Sequence, residues 1–308
     1  MSEQLDPKAI LDPQVIEAIA TLAEQTGSAQ CCIVQGGQTL LDFKPLPEAL
    51  DVFAVQKGIL TLLLGIAEEQ YLLETIDNTN HHLAPEWTQL SPWDEAKLSI
   101  ETLLTMTTGM DDELAPLGEV NKTWRYNNTA YQYLKEILTQ QSDMALQDLS
   151  QTWLFERLGM QETRWVERPQ LLPNGKAFTG LLSIASDLVK IGEFILAEGK
   201  WAGQQVVPSY FVRKMFEPGS VENPAWGWGW WNNSATHYVQ PMREKKVVQG
   251  KLIPDAPDDM VAARGAYGNF LYVIPSQALV IVRTCHPQAG KPRPEFESQL
   301  WTLLAARL

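Results

Sequence analysis

The sequence predicts a mixed α/β (α+β) fold, in which helices flank an antiparallel sheet built from both ends of the chain and a mainly helical lobe is inserted. Two β-rich runs form a hairpin near the N-terminus, two more lie near the C-terminus, and helical spacing fills the middle. Strands at both ends with helices between them do not form the pattern of repeated βαβ units. We expect one domain over 1–308, with an α/β lobe over 1–70 plus 205–308 and a helical lobe over 71–204.

The N-terminal elements follow from apolar spacing and glycine positions. Apolar residues recur at intervals of three and four over 14–25, which predicts a helix. The run AQCCIVQGGQTLLDF then predicts a hairpin that turns at its paired glycines. A long apolar helix is expected over roughly 54–70, and a further helix in SIETLLTMTTGM should stop at Gly109.

The remaining elements complete the predicted sheet and its helical cover. TAYQYLKEILTQQ predicts a helix over 129–141 that is capped by Asn128 or Thr129, and SIASDLVKIGEFILAEG predicts one from Ser183 to Gly199. NFLYVIP and ALVIVRT predict the second hairpin, and PEFESQLWTLLAARL predicts the last helix.

Composition excludes several classes of partner. The net charge of −13, with scattered basic residues, argues against nucleic acid and anionic membrane surfaces. The longest apolar stretch, near 59–67, is too short to span a bilayer, and MSEQLDPKAILDP lacks the pattern of a secretory signal, so a cytoplasmic location is expected. The four histidines have no ligand spacing, so neither a metal nor an organic cofactor is expected. The sequence does not define the oligomeric state.

One lysine stands out in the long apolar helix. FAVQKGILTLLLGIA is apolar around nearly the whole helix, as in buried helices, and Lys57 is its only charge. In one interpretation the ammonium reaches solvent from the first turn. In the other, burial lowers the pKa of Lys57, so that the amine accepts a proton from a hydroxyl one turn earlier. The residue three positions earlier is Ala54, which has no hydroxyl.

These residues resemble motifs of the penicillin-recognising serine hydrolases, specifically the class C β-lactamase-like branch with its esterases, peptidases and amide hydrolases. Members carry Ser-x-x-Lys at the start of a buried helix, where this chain has AVQK at 54–57. The second motif, Tyr-x-Asn, is matched by Tyr126-Asn127-Asn128. LLTMTTGM, SIASDLVKIGEFILAEGKWAGQQVV and GAYGNFLYVIPSQALVIVRT are also similar to family segments, so the resemblance covers most of the chain from about residue 30.

The resemblance implies acyl-enzyme chemistry on an ester or amide and a role for each matched residue. Lys57 would help deprotonate the nucleophile, and Tyr126 would relay the proton to the leaving group and later activate water. Asn128 would hydrogen-bond a substrate carbonyl. The structural alternatives are a half-buried, hydrogen-bonded tyrosine and a helix N-cap.

The third family motif, Lys-Thr-Gly or a His-x-Gly variant, departs from the pattern. The corresponding stretch, MVAARG at 260–265, has neither lysine nor histidine at the expected place. Arg264 is the nearest cation, with a solvated strand-end arginine as the alternative. A β-lactam or terminal carboxylate needs a cation opposite it, so the departure favours an uncharged ester or amide. The resemblance also implies an oxyanion hole at the backbone N–H groups near Ala263 and of Ala54.

The run WGWGWW at 226–231 has two interpretations. In the first, the tryptophans that alternate with glycines pack at a junction between the lobes, and packing is the commoner role for buried tryptophans. Alternatively, Trp228 and its neighbours line a pocket wall for an apolar acyl group.

A methyl group cannot attack a carbonyl, so Ala54 closes the covalent route, at a loss on the order of a millionfold in rate. Three interpretations stay open: a serine hydrolase whose nucleophile has been replaced, a natural pseudo-enzyme that binds a small molecule or partner, and hydrolysis by water that Lys57 activates. Retention of Lys57 and Tyr126 favours an enzyme fold with a disabled nucleophile, because a buried ammonium without its hydroxyl partner is destabilising.

Overall fold

The fold was obtained as a computed structural model that describes residues 10–242, 244–287 and 293–305. Its helices are α1 (Pro13–Gln25), α2 (Gln56–Glu69), α3 (Pro92–Glu95), α4 (Ile100–Thr105), α5 (Asn128–Ser142), α6 (Leu146–Ser150), α7 (Glu156–Leu158), α8 (Ala185–Leu196), α9 (Ser209–Lys214) and α10 (Arg293–Ala305). Its strands are β1 (Gln30–Gln35), β2 (Gln38–Phe43), β3 (Leu50–Asp51), β4 (Arg164–Leu171), β5 (Ala177–Ser183), β6 (Lys200–Trp201), β7 (Gln204–Gln205), β8 (Trp231–Asn232), β9 (His237–Val239), β10 (Val247–Gln249), β11 (Val261–Arg264), β12 (Phe270–Ile274) and β13 (Leu279–Thr284).

An antiparallel sheet in the order β2-β1-β13-β12-β11-β8 forms the centre of the molecule. The two predicted hairpins are β1–β2 and β12–β13. They join where β1 pairs with β13, with Gln30 opposite Thr284 and Gln35 opposite Leu279. Both ends of the chain therefore build one sheet, which confirms the predicted fold class.

Helices cover both faces of this sheet. Tyr272 of β12 contacts Trp301 of α10, which packs against α1. The preceding Leu271 lies beside Gly192 of α8. Successive strand residues point to opposite faces, so α1 with α10 and α8 lie on different sides of the sheet.

A second sheet, in the order β3-β5-β4, was not anticipated from the sequence. β3 pairs with β5 just before α2 begins, and β5 pairs with β4. The side chains of β4 are mostly exposed, so RWVERPQL lacks the apolar alternation by which strands are recognised. The segment 71–204 therefore contains this hairpin as well as helices, and the lobe boundaries stay a prediction.

Two predicted helix ends were wrong. α4 ends at Thr105 because Met106 adopts a left-handed conformation with φ 59°, several residues before the predicted stop. Ser183 belongs to β5, where its hydroxyl bonds that of Thr163 at 2.8 Å, so α8 begins two residues later. The last predicted helix is present as α10, and residues 306–308 lie outside the described residues.

The tryptophan-rich run packs beside α2. All four tryptophans in it are buried. A Cβ on Gly58 would lie 2.5 Å from the Trp230 ring, and one on Gly229 would lie 2.8 Å from the carbonyl oxygen of Lys57. Glycine at both positions therefore allows the run to approach α2 next to Lys57.

Candidate active site

A cavity of about 440 Å³ opens at the start of α2. It is lined by residues from α2 and the turn before it, from α5, from the β4–β5 hairpin and from the end of β11. The lining includes five of the residues singled out in the sequence, namely Ala54, Lys57, Tyr126, Asn128 and Arg264. The structure therefore brings the Ser-x-x-Lys and Tyr-x-Asn positions together.

A strained turn places Ala54 in this lining. Phe53 has φ +52°, a left-handed conformation that only the surrounding structure can impose on such a residue. Its N–H donates to Oδ1 of Asp51 at 2.7 Å, which fixes the turn between β3 and the helix. The chain then passes through a 3₁₀ turn at Phe53–Val55 and enters α2.

Lys57 faces the cavity while remaining almost fully buried, at 6% exposure. Its Nζ donates to Oδ1 of Asn128 at 2.8 Å and lies 4.9 Å from the centroid of the Tyr126 ring. The interpretation in which the ammonium extends to bulk solvent was therefore wrong. The two family motifs meet through this hydrogen bond.

Asn128 is free for this contact because the neighbouring asparagine caps the helix. Oδ1 of Asn127 accepts the N–H of Ala130 at 2.8 Å, so the predicted cap at Asn128 or Thr129 was wrong. The Asn128 N–H donates to Oδ1 of Asp112 at 2.9 Å. Its side-chain oxygen therefore points at Lys57.

The environment weakens the basicity of Lys57. Burial, as the largest cause, and repulsion from the Arg168 guanidinium lower the pKa of Lys57 to about 7, against the opposing attraction of Asp112. A lysine with this pKa is present in substantial part as the free amine near neutral pH. It can therefore act as a general base.

Tyr126 lines three cavities. It borders the main cavity and two neighbouring ones of about 430 and 310 Å³. Its ring packs against Trp226 and Trp124, with centroids 5.6 and 6.3 Å apart. These contacts hold the Tyr126 ring beside the Lys57 ammonium.

Arg264 borders the cavity, but its charge is already paired. Its Nη2 contacts both carboxylate oxygens of Glu297 on α10 at 2.8 and 3.0 Å. The Tyr272 hydroxyl donates to the same carboxylate. Arg264 lies opposite Phe270 in the sheet, on the face that α10 covers, so it is not a solvated strand-end arginine.

The predicted oxyanion donor near Ala263 needs a correction. Ala263 is buried inside β11, and the lining continues instead through Gly265 and Ala266. A Cβ on Gly265 would lie 2.3 Å from the Val52 carbonyl oxygen, so only glycine lets the strand end come this close to the turn. The amides of Ala54 and Ala266 both border the cavity without an acceptor among the described residues.

Trp228 also lies outside the described lining of the cavity. Its ring packs against Phe211, with centroids 5.3 Å apart, and Nζ of Lys214 lies 5.9 Å from its ring centroid. This is the packing arrangement of the tryptophan run. The acyl-pocket role for Trp228 has no support in this geometry.

Two cations beside the site were missed in the sequence. Arg168 of β4 lines the cavity, and Lys135 of α5 lies buried behind it. Lys135 follows Asn128 by seven residues, which is two helical turns, so its position on the same face was a usable signal. Arg168 had no such signal, because β4 itself was not recognised.

The described residues contain no cluster of three His, Cys, Asp or Glu side chains placed to hold a metal ion. None of the helices in the described part of the chain has the length and apolar character needed to cross a membrane.

Comparison with known proteins identifies the family. A family model described as Beta-lactamase matches residues 15–305. The chain belongs to the beta-lactamase family. A search of curated proteins found no significant match.

Several solved structures of other proteins share the fold. A beta-lactamase candidate from Bacteroides dorei DSM 17855 has a TM-score of 0.71 at 12% identity, covering 95% of this chain and 98% of the other. EstCE1, described as a hydrolase with promiscuous acyltransferase activity, has a TM-score of 0.69 at 15% identity, and the match covers 95% of this chain and 98% of EstCE1. An octameric penicillin-binding protein homologue from Pyrococcus abyssi has a TM-score of 0.68 at 13% identity, and the match covers 96% of this chain and 77% of the homologue. At these identities the likeness establishes a common fold.

Proposed function

We propose that this chain carries the acyl-transfer site of an ester or amide hydrolase, from which only the nucleophilic oxygen is missing. The observation that carries the proposal is the 2.8 Å bond between Lys57 and Asn128, one turn from Ala54 in a shared cavity. With Ala54 in place, the chain binds its small-molecule substrate without forming an acyl-enzyme.

The proposal gives each group a role if position 54 were serine. The neutral amine of Lys57 would take the hydroxyl proton, and the oxygen would attack the substrate carbonyl carbon. The amides of Ala54 and Ala266 would stabilise the resulting oxyanion. Tyr126 would give its hydroxyl proton to the leaving alcohol or amine as the bond of that group to carbon breaks, and would recover a proton from the Lys57 ammonium. Water would then release the acid by the same steps.

The decisive experiment restores the nucleophile. We expect Ala54→Ser to hydrolyse p-nitrophenyl butyrate and to be labelled stoichiometrically by a fluorophosphonate, because the base and the oxyanion donors are already in place. The gain over the unaltered chain should be large, up to about a millionfold. Kinetic assays and intact-protein mass spectrometry measure both effects.

A matched control separates this chemistry from adventitious reactivity. Adding Lys57→Met to Ala54→Ser should abolish labelling, since the new hydroxyl then has no base. A folded Ala54→Ser variant that neither labels nor turns over any short-chain ester would contradict the proposal. That result would favour the alternative, a natural pseudo-enzyme that binds a small molecule or partner without catalysis.

A further inference from the structure

Arg168 brings a positive charge to the cavity from the β4–β5 hairpin. One of its nitrogens, Nη2, contacts both carboxylate oxygens of Asp51 at 2.7 Å. The guanidinium carbon lies 5.3 Å from the centroid of the Phe53 ring, which also lines the cavity. Asp51 and Phe53 flank the turn before Ala54, so Arg168 is held close to the reacting position.

The ion pair leaves much of the Arg168 guanidinium unused. Its Nε and Nη1 donate to none of the described residues, and its side chain is 24% exposed. An arginine remains protonated at every physiological pH and presents five donors in a planar fork. It can therefore bind an anion in the cavity while it keeps its contact with Asp51.

Arg168 is the most exposed of the four cations described at the cavity, since Lys57 and Lys135 are each 6% exposed. Arg264 makes the same kind of contact with Glu297, but its side chain is only 12% exposed, and the Tyr272 hydroxyl also donates to that carboxylate. Lys135 is buried behind the lining and donates to three uncharged oxygens. The Asp112 carboxylate attracts the Lys57 ammonium and accepts the Asn128 N–H.

We propose that Arg168 is a specificity-determining residue, and that the ester or amide bound here carries a carboxylate that this guanidinium receives. The ester or amide part rests on the proposed function. The carboxylate part reverses the sequence-based expectation of an uncharged substrate. That expectation considered cations on the β11 strand alone, whereas the β4–β5 hairpin also lines the cavity and supplies Arg168.

The test uses binding to the unaltered chain, so it does not depend on catalysis. The probes are monomethyl glutarate, which has one ester and one carboxylate, and dimethyl glutarate, which has two esters. We expect isothermal titration calorimetry to show the monomethyl ester binding at least about tenfold more tightly, the range of a charge-assisted hydrogen bond.

Two substitutions at the ion pair should act in opposite directions. Arg168→Gln removes the receiving charge and should abolish the preference for the monomethyl ester. Asp51→Asn retains an acceptor for the Phe53 N–H and removes the competing carboxylate, so it should strengthen that preference. If the pair merely held the turn, both substitutions would weaken binding alike.

The exposed pair of Arg213 and Glu198, with 2.9 Å between Nη1 and Oε2, offers a matched control, and Arg213→Gln should change nothing. Equal binding of the two esters, no binding of either, or a preference that survives Arg168→Gln would overturn the assignment. Fluorophosphonate labelling of Ala54→Ser can succeed in any of these cases, so failure of the carboxylate site is distinguishable from failure of the proposed function.

Discussion

Two buried lysines lie near each other in this protein, and they differ in what surrounds their Nζ atoms. Lys57 on α2 donates to one oxygen, Oδ1 of Asn128, and faces the cavity. Lys135 on α5 donates to Oε1 of Gln56 at 2.7 Å and to both the carbonyl and hydroxyl oxygens of Thr179 at 2.8 Å. Burial lowers the pKa of both lysines.

We infer from this difference that burial alone does not identify a candidate general base. All three N–H directions of Lys135 are used, and its ammonium lies 4.5 Å from the centroid of the Trp165 ring, behind the cavity. It therefore has no position from which to take a substrate proton. We interpret Lys135 as a positioning residue that fixes Gln56, the neighbour of Lys57. Lys57 keeps capacity for a further partner.

The largest effect should separate the two lysines in catalysis. In the Ala54→Ser background, Lys57→Met should lower kcat for p-nitrophenyl butyrate by about a thousandfold or more, because the general base is lost. Lys135→Met should lower it by less than about tenfold, since only the placement of Gln56 changes. Steady-state kinetics on the two double variants provides the measurement. Equal losses of kcat in the two double variants would show that Lys57 and Lys135 do not differ in their roles.

The pH dependence sharpens the role of Lys57. Only the neutral amine can accept the serine proton, and the pKa of Lys57 lies at about 7. The kcat/KM of Ala54→Ser should therefore fall about tenfold per unit as the pH drops below this value, and level off above it.

Arg168→Gln in the Ala54→Ser background tests what lowers the pKa of Lys57. It removes a repulsive charge and should move the midpoint of this profile to higher pH, because the ammonium of Lys57 becomes easier to form. A flat profile between pH 5 and 9 (about two units on either side of the midpoint) would contradict the role of Lys57 as base.

The two lysines should also differ in their effect on the free energy of unfolding, although this effect is smaller. Here the replacement of Lys135 should cost more than the replacement of Lys57. Lys135→Met leaves the buried Oε1 of Gln56 without its donor, so the free energy of unfolding should fall by about 1–3 kcal/mol. Lys57→Met should lower it less, because Asn128 borders the cavity, where water can replace the lysine. Urea denaturation of the single variants measures both.

The double variant Gln56→Leu with Lys135→Met provides the matched control. It removes both partners of the hydrogen bond and should be less destabilised than Lys135→Met alone. A larger loss in the double variant would contradict this account, because it would show that Gln56 stabilises the protein without its bond to Lys135.

Much of the fold was predictable because it depends on local patterns. The two hairpins and the long helices have clear apolar periods, and the lone charge of Lys57 in an apolar helix marked the site before any fold was known. The cap at Asn127 was missed because adjacent asparagines have equal cap propensity, and only the loop contacts of Asn128 with Asp112 distinguish them.

The sequence by itself determined the sheet-forming ends and singled out positions 54, 57, 126 and 128, because these follow from local spacing and residue type. The structure places all four around one cavity. Only the tertiary structure decided that Lys135 is buried, that Arg264 is paired with Glu297 and that Arg168 enters the cavity. A charged side chain on a polar strand or an amphipathic helix looks solvated in sequence. Its actual environment depends on which distant segment packs over it, and no local pattern records that contact.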